Sequence, residues 1–304
     1  MKQVGLILLA ALAPLAFSQT RTVETVMGPV EVPLEPQRVV TLDIGELDAA
    51  LVLGVKPVGS VTTFADGLFP EYLGDQTEGI EVVGTIGEPS LEKIAALDPD
   101  LILSNKIRNE STYAQLSAIA PTVFAEELGA GWQDSFDLYA EALGKAEAGA
   151  QIVTDYHARL EALQGGIGER ANTLSISVIR FLSGDSARVY QTGSYIGRIL
   201  QDARLQRPAA QQRTDEVWTE LNKELLGDAD GSVIFYGVYG QDDETPLADF
   251  ESDLLWDTLS AVQNGEVYRV PDEYWYVALG YGAANKVIDD LETYLLDGAT
   301  KGEE

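Results

Sequence analysis

Apolar positions along the chain recur with two alternating periods. After residue 20, TVMGPVEVPLEPQRVVTLD alternates β-branched residues around Gly28-Pro29, which predicts a hairpin followed by a strand over Val39 to Leu42. The next run, GELDAALVLGV, places Leu47, Ala50, Leu51 and Leu53 at helical spacing and stops at Gly54. Short strands are predicted at Val58 to Val61 and near Val82-Val83. SLEKIAAL then reads as a helix, LILS as a buried strand, STYAQLSAIA as a helix and PTVF as a strand. Such alternation predicts an α/β layer with a mostly parallel sheet, because parallel strands need crossover connections.

The period changes in the middle. Phe136, Ala140, Leu143, Ala150, Val153, Tyr156, Leu160 and Leu163 keep helical spacing with no strand among them, broken at Gly144. A short helix is predicted there, followed by one of about 20 residues, ~30 Å long. Beyond Asn172 the alternation resumes, with SISVIRFL and RVYQ as strands and YIGRILQDA as a helix. A helix from Trp218 to Leu226, the strand VIFYGVYG, the helix DLLWDTL, the strand EVYRVP and the helix AANKVIDDLETYLL complete the chain. The simplest architecture is two α/β lobes, 22–143 and 167–298, joined by a helix over 144–166. A single doubly wound sheet is the alternative, disfavoured because the middle helices lack a strand that would weave them in.

Each half carries one copy of a common unit, SLEKIAALDPDLIL at 90–103 and NKELLGDADGSVIF at 222–235. In both, a glutamate heads a short amphipathic run, an acidic turn follows, and an extended apolar segment ends the unit. For Glu92 alone, complementing the dipole of a helix capped by Ser90 explains the acid, at a few tenths to ~1 kcal/mol. The recurrence at Glu224 marks the halves as relatives.

Composition removes much chemistry. The 304 residues, 45% of them hydrophobic, suffice for one large or two medium cores. With no cysteine and one histidine, His157, the chain has no disulfides, thiolate nucleophile, Cys/His zinc site or iron–sulfur cluster. A net charge of −29 repels nucleic acid and anionic lipid, so no nucleic-acid partner is expected. MKQVGLILLAALAPLAFSQT has one lysine, an apolar stretch from Val4 to Leu12 and small residues before the next segment, which reads as a secretory signal over 1–18. Without a cysteine to carry lipid, a soluble periplasmic or secreted protein, monomeric and not Cys-anchored, is the expectation.

GPVEVPLEPQRVVTLDIGELDAALVLGVKPVG, VGTIGEPSLEKIAALDPDLIL, YAQLSAIAPTVF and AVQNGEVYRVPDEYWY, in that order, resemble the substrate-binding proteins of ABC importers for ferric siderophores. That group also includes vitamin B12 binders. The resemblance implies a class III periplasmic binding protein-like fold: two α/β lobes, a rigid bridging helix, a shallow cleft and little hinge closure. It implies a ferric siderophore whose iron is held by the chelator, with no cofactor and no metal ligand from the protein. The implied partner is an ABC permease, engaged by one surface glutamate per lobe. That role falls on Glu92 and Glu224, with Glu220 competing one turn earlier. Separated rim carboxylates favour orientation and encounter over tightness.

The cleft is expected at the carboxyl ends of the strands. Arg108 follows LILSNKI, and the family often has a basic residue there; Arg180 is a charge inside an apolar strand, unexpected unless it faces a cavity. Both offer donors to the oxygens around a chelated iron. Aromatic candidates are Trp132, Tyr195, Tyr236, Tyr239, Tyr274 and Trp275, with Trp132, Tyr239 and Trp275 preferred as platforms. Net acidity leans slightly to hydroxamate over anionic catecholate chelates, although local arginines count for more within ~8–10 Å. Haem or a cobalamin is the alternative ligand. A secreted α/β hydrolase is the rival class, opposed by GSYIG at 193–197, which is not G-x-S-x-G, and by a lone histidine inside a helix. No enzymatic activity is expected.

Overall fold

The computed structural model describes residues 19–296, apart from 65–66, 127–128 and 185, so the expected signal segment lies outside the described residues. Strands β1 (Thr20–Thr25) and β2 (Gly28–Pro33) form an antiparallel hairpin. Its turn falls at 26–27, and Gly28 opens the return strand with φ +101°, a conformation that favours glycine.

The first large sheet contains β3 (Val39–Thr41), β4 (Gly59–Thr62), β5 (Glu81–Thr85), β6 (Leu101–Asn105) and β7 (Thr122–Ala125). Its order is β5-β4-β3-β6-β7 and every pairing is parallel. The second contains β8 (Ile176–Leu182), β9 (Ser186–Tyr190), β10 (Trp218–Leu221), β11 (Val233–Tyr239) and β12 (Val267–Arg269). Here the order is β10-β9-β8-β11-β12, with β8, β11 and β12 parallel and β9 and β10 antiparallel to their neighbours. Continuous apolar strands such as Leu101-Ile102-Leu103 are fully buried, as a sheet covered on both faces requires. Between the sheets runs the 22-residue helix Ala146–Ile167, which buries Tyr156, Leu160, Leu163 and Ile167. The two sheet-bearing lobes and the long helix predicted from the sequence are present.

Two predicted helices are not. Trp218 to Leu226 divides into β10 and a 3-10 helix, Lys223–Ala229. Backbone pairing with β9 holds the first part extended, and the Asn222 side chain then accepts from Leu225 N (3.1 Å) and starts the coil. DLLWDTL makes only the 3-10 turn Trp256–Thr258, because the Asp253 carboxylate accepts from Leu255 N (2.9 Å) and competes with helical bonding.

Carboxylates join the lobes. Asp48, on helix Ile44–Val52, is fully buried and accepts from the backbone N–H groups of Gly282 and Ala283, both at 2.9 Å, and from the Tyr72 hydroxyl at 2.8 Å. It therefore caps the N-terminus of the last helix, Tyr281–Leu296, from across the molecule. A Cβ on Gly280 or Gly282 would collide with this carboxylate, which explains both glycines. Glu273 reciprocates, accepting from Glu71 N (2.7 Å) and Tyr72 N (3.1 Å) at the start of the 3-10 helix Glu71–Thr77. Beside them Trp132, Tyr156, Tyr195 and Tyr281 interlock edge to face, with centroids 4.6–6.0 Å apart.

Asp48→Ala leaves two buried N–H groups and a hydroxyl without an acceptor. It should cost about 3 kcal/mol in urea unfolding, and Asp48→Asn, which keeps one acceptor oxygen, distinctly less.

Candidate ligand cleft

A cleft of about 540 Å³ opens between the lobes, with Thr63 and Arg108 on one side and Arg180, Tyr190, Trp218 and Tyr239 on the other. It lies outside the carboxyl ends of β4, β6, β8 and β11, where α/β sheets leave a crevice.

On the first wall, Asn105 ends β6 and its side chain accepts from Arg108 N (3.0 Å), starting the single turn Lys106–Asn109. The Arg108 Nε donates to Asp43 Oδ2 at 3.0 Å, while the rest of its half-exposed guanidinium faces the cleft. Asn105 Nδ2 donates both to Asp43 Oδ2 (3.3 Å) and to Glu46 Oε1 (3.0 Å). Glu46 also accepts from the Tyr139 hydroxyl at 2.7 Å, but its buried Oε2 has no hydrogen bond. Burial, and then the Asp43 charge, push the Glu46 carboxyl up to about 7.

On the second wall, Arg180 makes a two-pronged pair with Asp272, Nε to Oδ1 at 2.6 Å and Nη2 to Oδ2 at 2.5 Å, and Nη1 donates to the Tyr190 hydroxyl at 3.2 Å. Burial works against its charge, but Asp272 and Tyr190 outweigh it and hold the guanidinium above its ordinary range. The rings of Tyr239 and Tyr276 lie 4.6 and 5.3 Å from it. Arg188 pairs with Arg180 across β8 and β9 and stacks on Trp218, 3.7 Å from the ring centroid.

Of the residues singled out from the sequence, Arg108, Arg180, Tyr195, Tyr239 and Trp275 line the cleft. Tyr195 and Trp275 are 3% and 0% exposed, with their polar atoms committed to Gly280 O and Asp290, so they support the wall rather than offer a ring face. Trp132 is corrected outright as a platform: it begins helix Trp132–Ala142 and its ring is buried in the aromatic cluster between the lobes. Tyr236, an odd number of residues from Tyr239 on β11, takes the opposite face and packs against Phe181. Tyr274 donates its hydroxyl to Asp290 (3.0 Å), outside the cleft. Sequence reasoning missed Trp218, Arg188 and Tyr190. A helix assigned over Trp218 hid the first, and the period-two alternation of RVYQ carried the only signal for the others.

Glu92 and Glu224 are both exposed and both occupy the second position of a capped turn, behind Ser90 and Asn222. Glu220 lies instead in β10, opposite Arg188. Ser194 is buried and caps helix Tyr195–Asp202 by accepting from Gly197 N (2.9 Å), and His157 is exposed on the long helix.

A family model described as "Periplasmic binding protein" matches residues 39–274. The chain belongs to this family. Its relatives include the "Probable siderophore-binding lipoprotein YfiY" of Bacillus subtilis (strain 168), 41% identical over 92% of this chain and 89% of that protein. The "Putative ABC transporter substrate-binding lipoprotein YhfQ" of the same organism is 30% identical, covering 88% and 85%. Among solved structures, Staphylococcus aureus SirA complexed with staphyloferrin B matches with a TM-score of 0.83 and 33% identity, over 91% of this chain and 98% of that one. The family resemblance read from the motifs is borne out, and with it a binding protein rather than an enzyme.

The expectation of a soluble protein without a lipid anchor is contradicted by the same relatives, two of which are named lipoproteins. That expectation rested on the lack of cysteine, which bears on one attachment chemistry and does not carry the wider conclusion.

Glu46 binds its proton more tightly in the fold than its ordinary value of 4.5 allows, so stability is lost as pH rises from about 4.5 to 7. Glu46→Gln removes this slope. Urea unfolding should find the variant more stable than the parent by roughly 1–3 kcal/mol at about pH 8, with the difference shrinking toward about pH 5.

Proposed function

We propose that this protein captures a ferric siderophore in the interlobe cleft and delivers it to an ABC permease. The observation that carries the reading is a set of guanidinium groups from both lobes, held in place by acids and aromatic rings, facing one cavity. Such groups match the oxygen shell of a chelate whose iron is already coordinated. The chelator holds the metal, and the protein supplies donors and ring faces. The relatives support this ligand class: one is named siderophore-binding, and SirA is complexed with staphyloferrin B.

Two considerations bear on the chelate. The net charge of −29 leans to a neutral or cationic hydroxamate. Arg108, Arg180 and Arg188 lean to an anionic one, and they act within a screening length of ~8–10 Å, where distant surface acids are damped. We favour the anionic chelate. The lobes in this reading are 22–143 and 167–298 about the helix at 144–166, and Glu92 and Glu224 meet cations on the permease.

Trp218 is 37% exposed in the cleft while Trp132, Trp256 and Trp275 are at most 5% exposed, so ligand quenching should arise from Trp218. An anionic ferric chelate is expected to quench fluorescence at sub-micromolar concentration, Trp218→Phe to remove the signal, and Arg108→Ala to weaken binding about tenfold or more. No response to any ferric chelate, anionic or hydroxamate, would end the proposal.

Glu92→Ala combined with Glu224→Ala should leave ligand affinity unchanged and abolish stimulation of the transporter's ATPase in proteoliposomes. Loss of ligand binding in the double variant would show that the glutamates serve the cleft instead.

A further inference from the structure

Arg207 follows helix Tyr195–Asp202 and is buried against the start of β8 and the end of β9. It is 7% exposed. Its Nε donates to Ile176 O (3.4 Å), and Nη2 donates to Tyr190 O (2.6 Å) and Gln211 Oε1 (2.7 Å). Nη1 is buried with no hydrogen bond. Every acceptor it has is neutral.

This distinguishes it from the two arginines that line the cleft. Arg180 is matched by Asp272, and half-exposed Arg108 by Asp43, so at a distance each pair nearly cancels. Among the described residues no carboxylate lies within ion-pair distance of Arg207. Burial lowers its affinity for the proton to about 10, which still leaves it charged at neutral pH. An unmatched buried cation is costly, and a fold that needed only to tie β8 to β9 has neutral donors available for the purpose.

Arg207 is also close to the ligand site. Tyr190 accepts Arg207 at its carbonyl and Arg180 at its hydroxyl, so one side chain separates the two guanidinium groups. Tyr190 and Tyr276 line the cleft, and Tyr276 lies near enough to Arg207 to interact with its charge.

We infer that Arg207 is a specificity-determining residue that acts by its field past Tyr190 and Tyr276 and not by contact, and that it biases the cleft toward anionic ferric chelates. The inference rests on the proposed siderophore function and deepens it. Because the charge is buried, it is little screened by salt. At ~10 Å and an effective dielectric of ~20, one such charge alters affinity on the order of tenfold per unit of ligand charge.

Two variants remove the charge by different routes. Arg207→Gln deletes it, and Gln211→Glu sets a carboxylate at the 2.7 Å acceptor position and neutralises it in place. Each folded variant, with Arg207→Lys as the charge-retaining control, is titrated with ferric dicitrate, a trianionic ferric tris-catecholate and a neutral ferric trihydroxamate, read by Trp218 quenching. The expected result is a loss of affinity that grows with ligand charge, about tenfold or more per unit, with the neutral chelate changed less than about twofold and Arg207→Lys near the parent. Equal loss for all chelates would reduce Arg207 to a structural tie, and no loss would remove it from the site; either overturns the inference while leaving the siderophore reading intact. A parent protein that binds none of the three overturns both.

Discussion

The structure depends on a carboxylate that has no cation. Asp48 is buried against the first N–H groups of the last helix, and its partners are backbone atoms and one phenol. Such a bond is strong because a carboxylate meets the unsatisfied donors and dipole of a helix end in a water-poor setting. Glu273 repeats the arrangement in the opposite direction. Together with the interlocked rings of Trp132, Tyr156 and Tyr281, these bonds set the angle between the lobes. The walls of the cleft are thus brought face to face before any ligand arrives, and a ligand does not have to supply the ordering itself.

Within the cleft the same acidic chain that would repel an anion has been turned to another use. Asp43 and Asp272 anchor Arg108 and Arg180, fixing long side chains whose freedom would otherwise be lost on binding. Tyr239 and Tyr276 cover the Arg180 guanidinium, and Trp218 covers that of Arg188, giving each cation an apolar neighbour that lets it keep unused N–H groups. What the cleft presents is a rigid array of donors set among ring faces.

Much of the fold was legible because buried parallel strands and amphipathic helices leave different periods in the sequence. The long helix, the alternation on either side of it and the repeated glutamate units could all be read in this way. The second lobe's edge was harder. Trp218 and Glu220 lie on an antiparallel strand whose pairing with β9 is a tertiary fact, and a local pattern reads equally well as a helix. Arg180 stood out because a charge within an apolar run is conspicuous, and Arg108 because the family resemblance places a basic residue there, whereas exposure of aromatic residues is not encoded locally. Trp132, just after Gly129-Ala130-Gly131, reads as a loop ring in the sequence and is instead core. Arg207 gave no signal, since what matters about it is the absence of a nearby acid, and that depends on how the whole lobe folds.

The bolted interface has a consequence for traffic. On the proposed reading that Glu92 and Glu224 meet the permease, a fixed angle between lobes means that the two contact points keep nearly the same separation whether or not cargo is present. A transporter gauging that separation alone cannot tell a full carrier from an empty one. Empty carriers then compete for the same berth, and import slows when they greatly outnumber the pumps. The signal that cargo is aboard must come from the rim of the cleft itself.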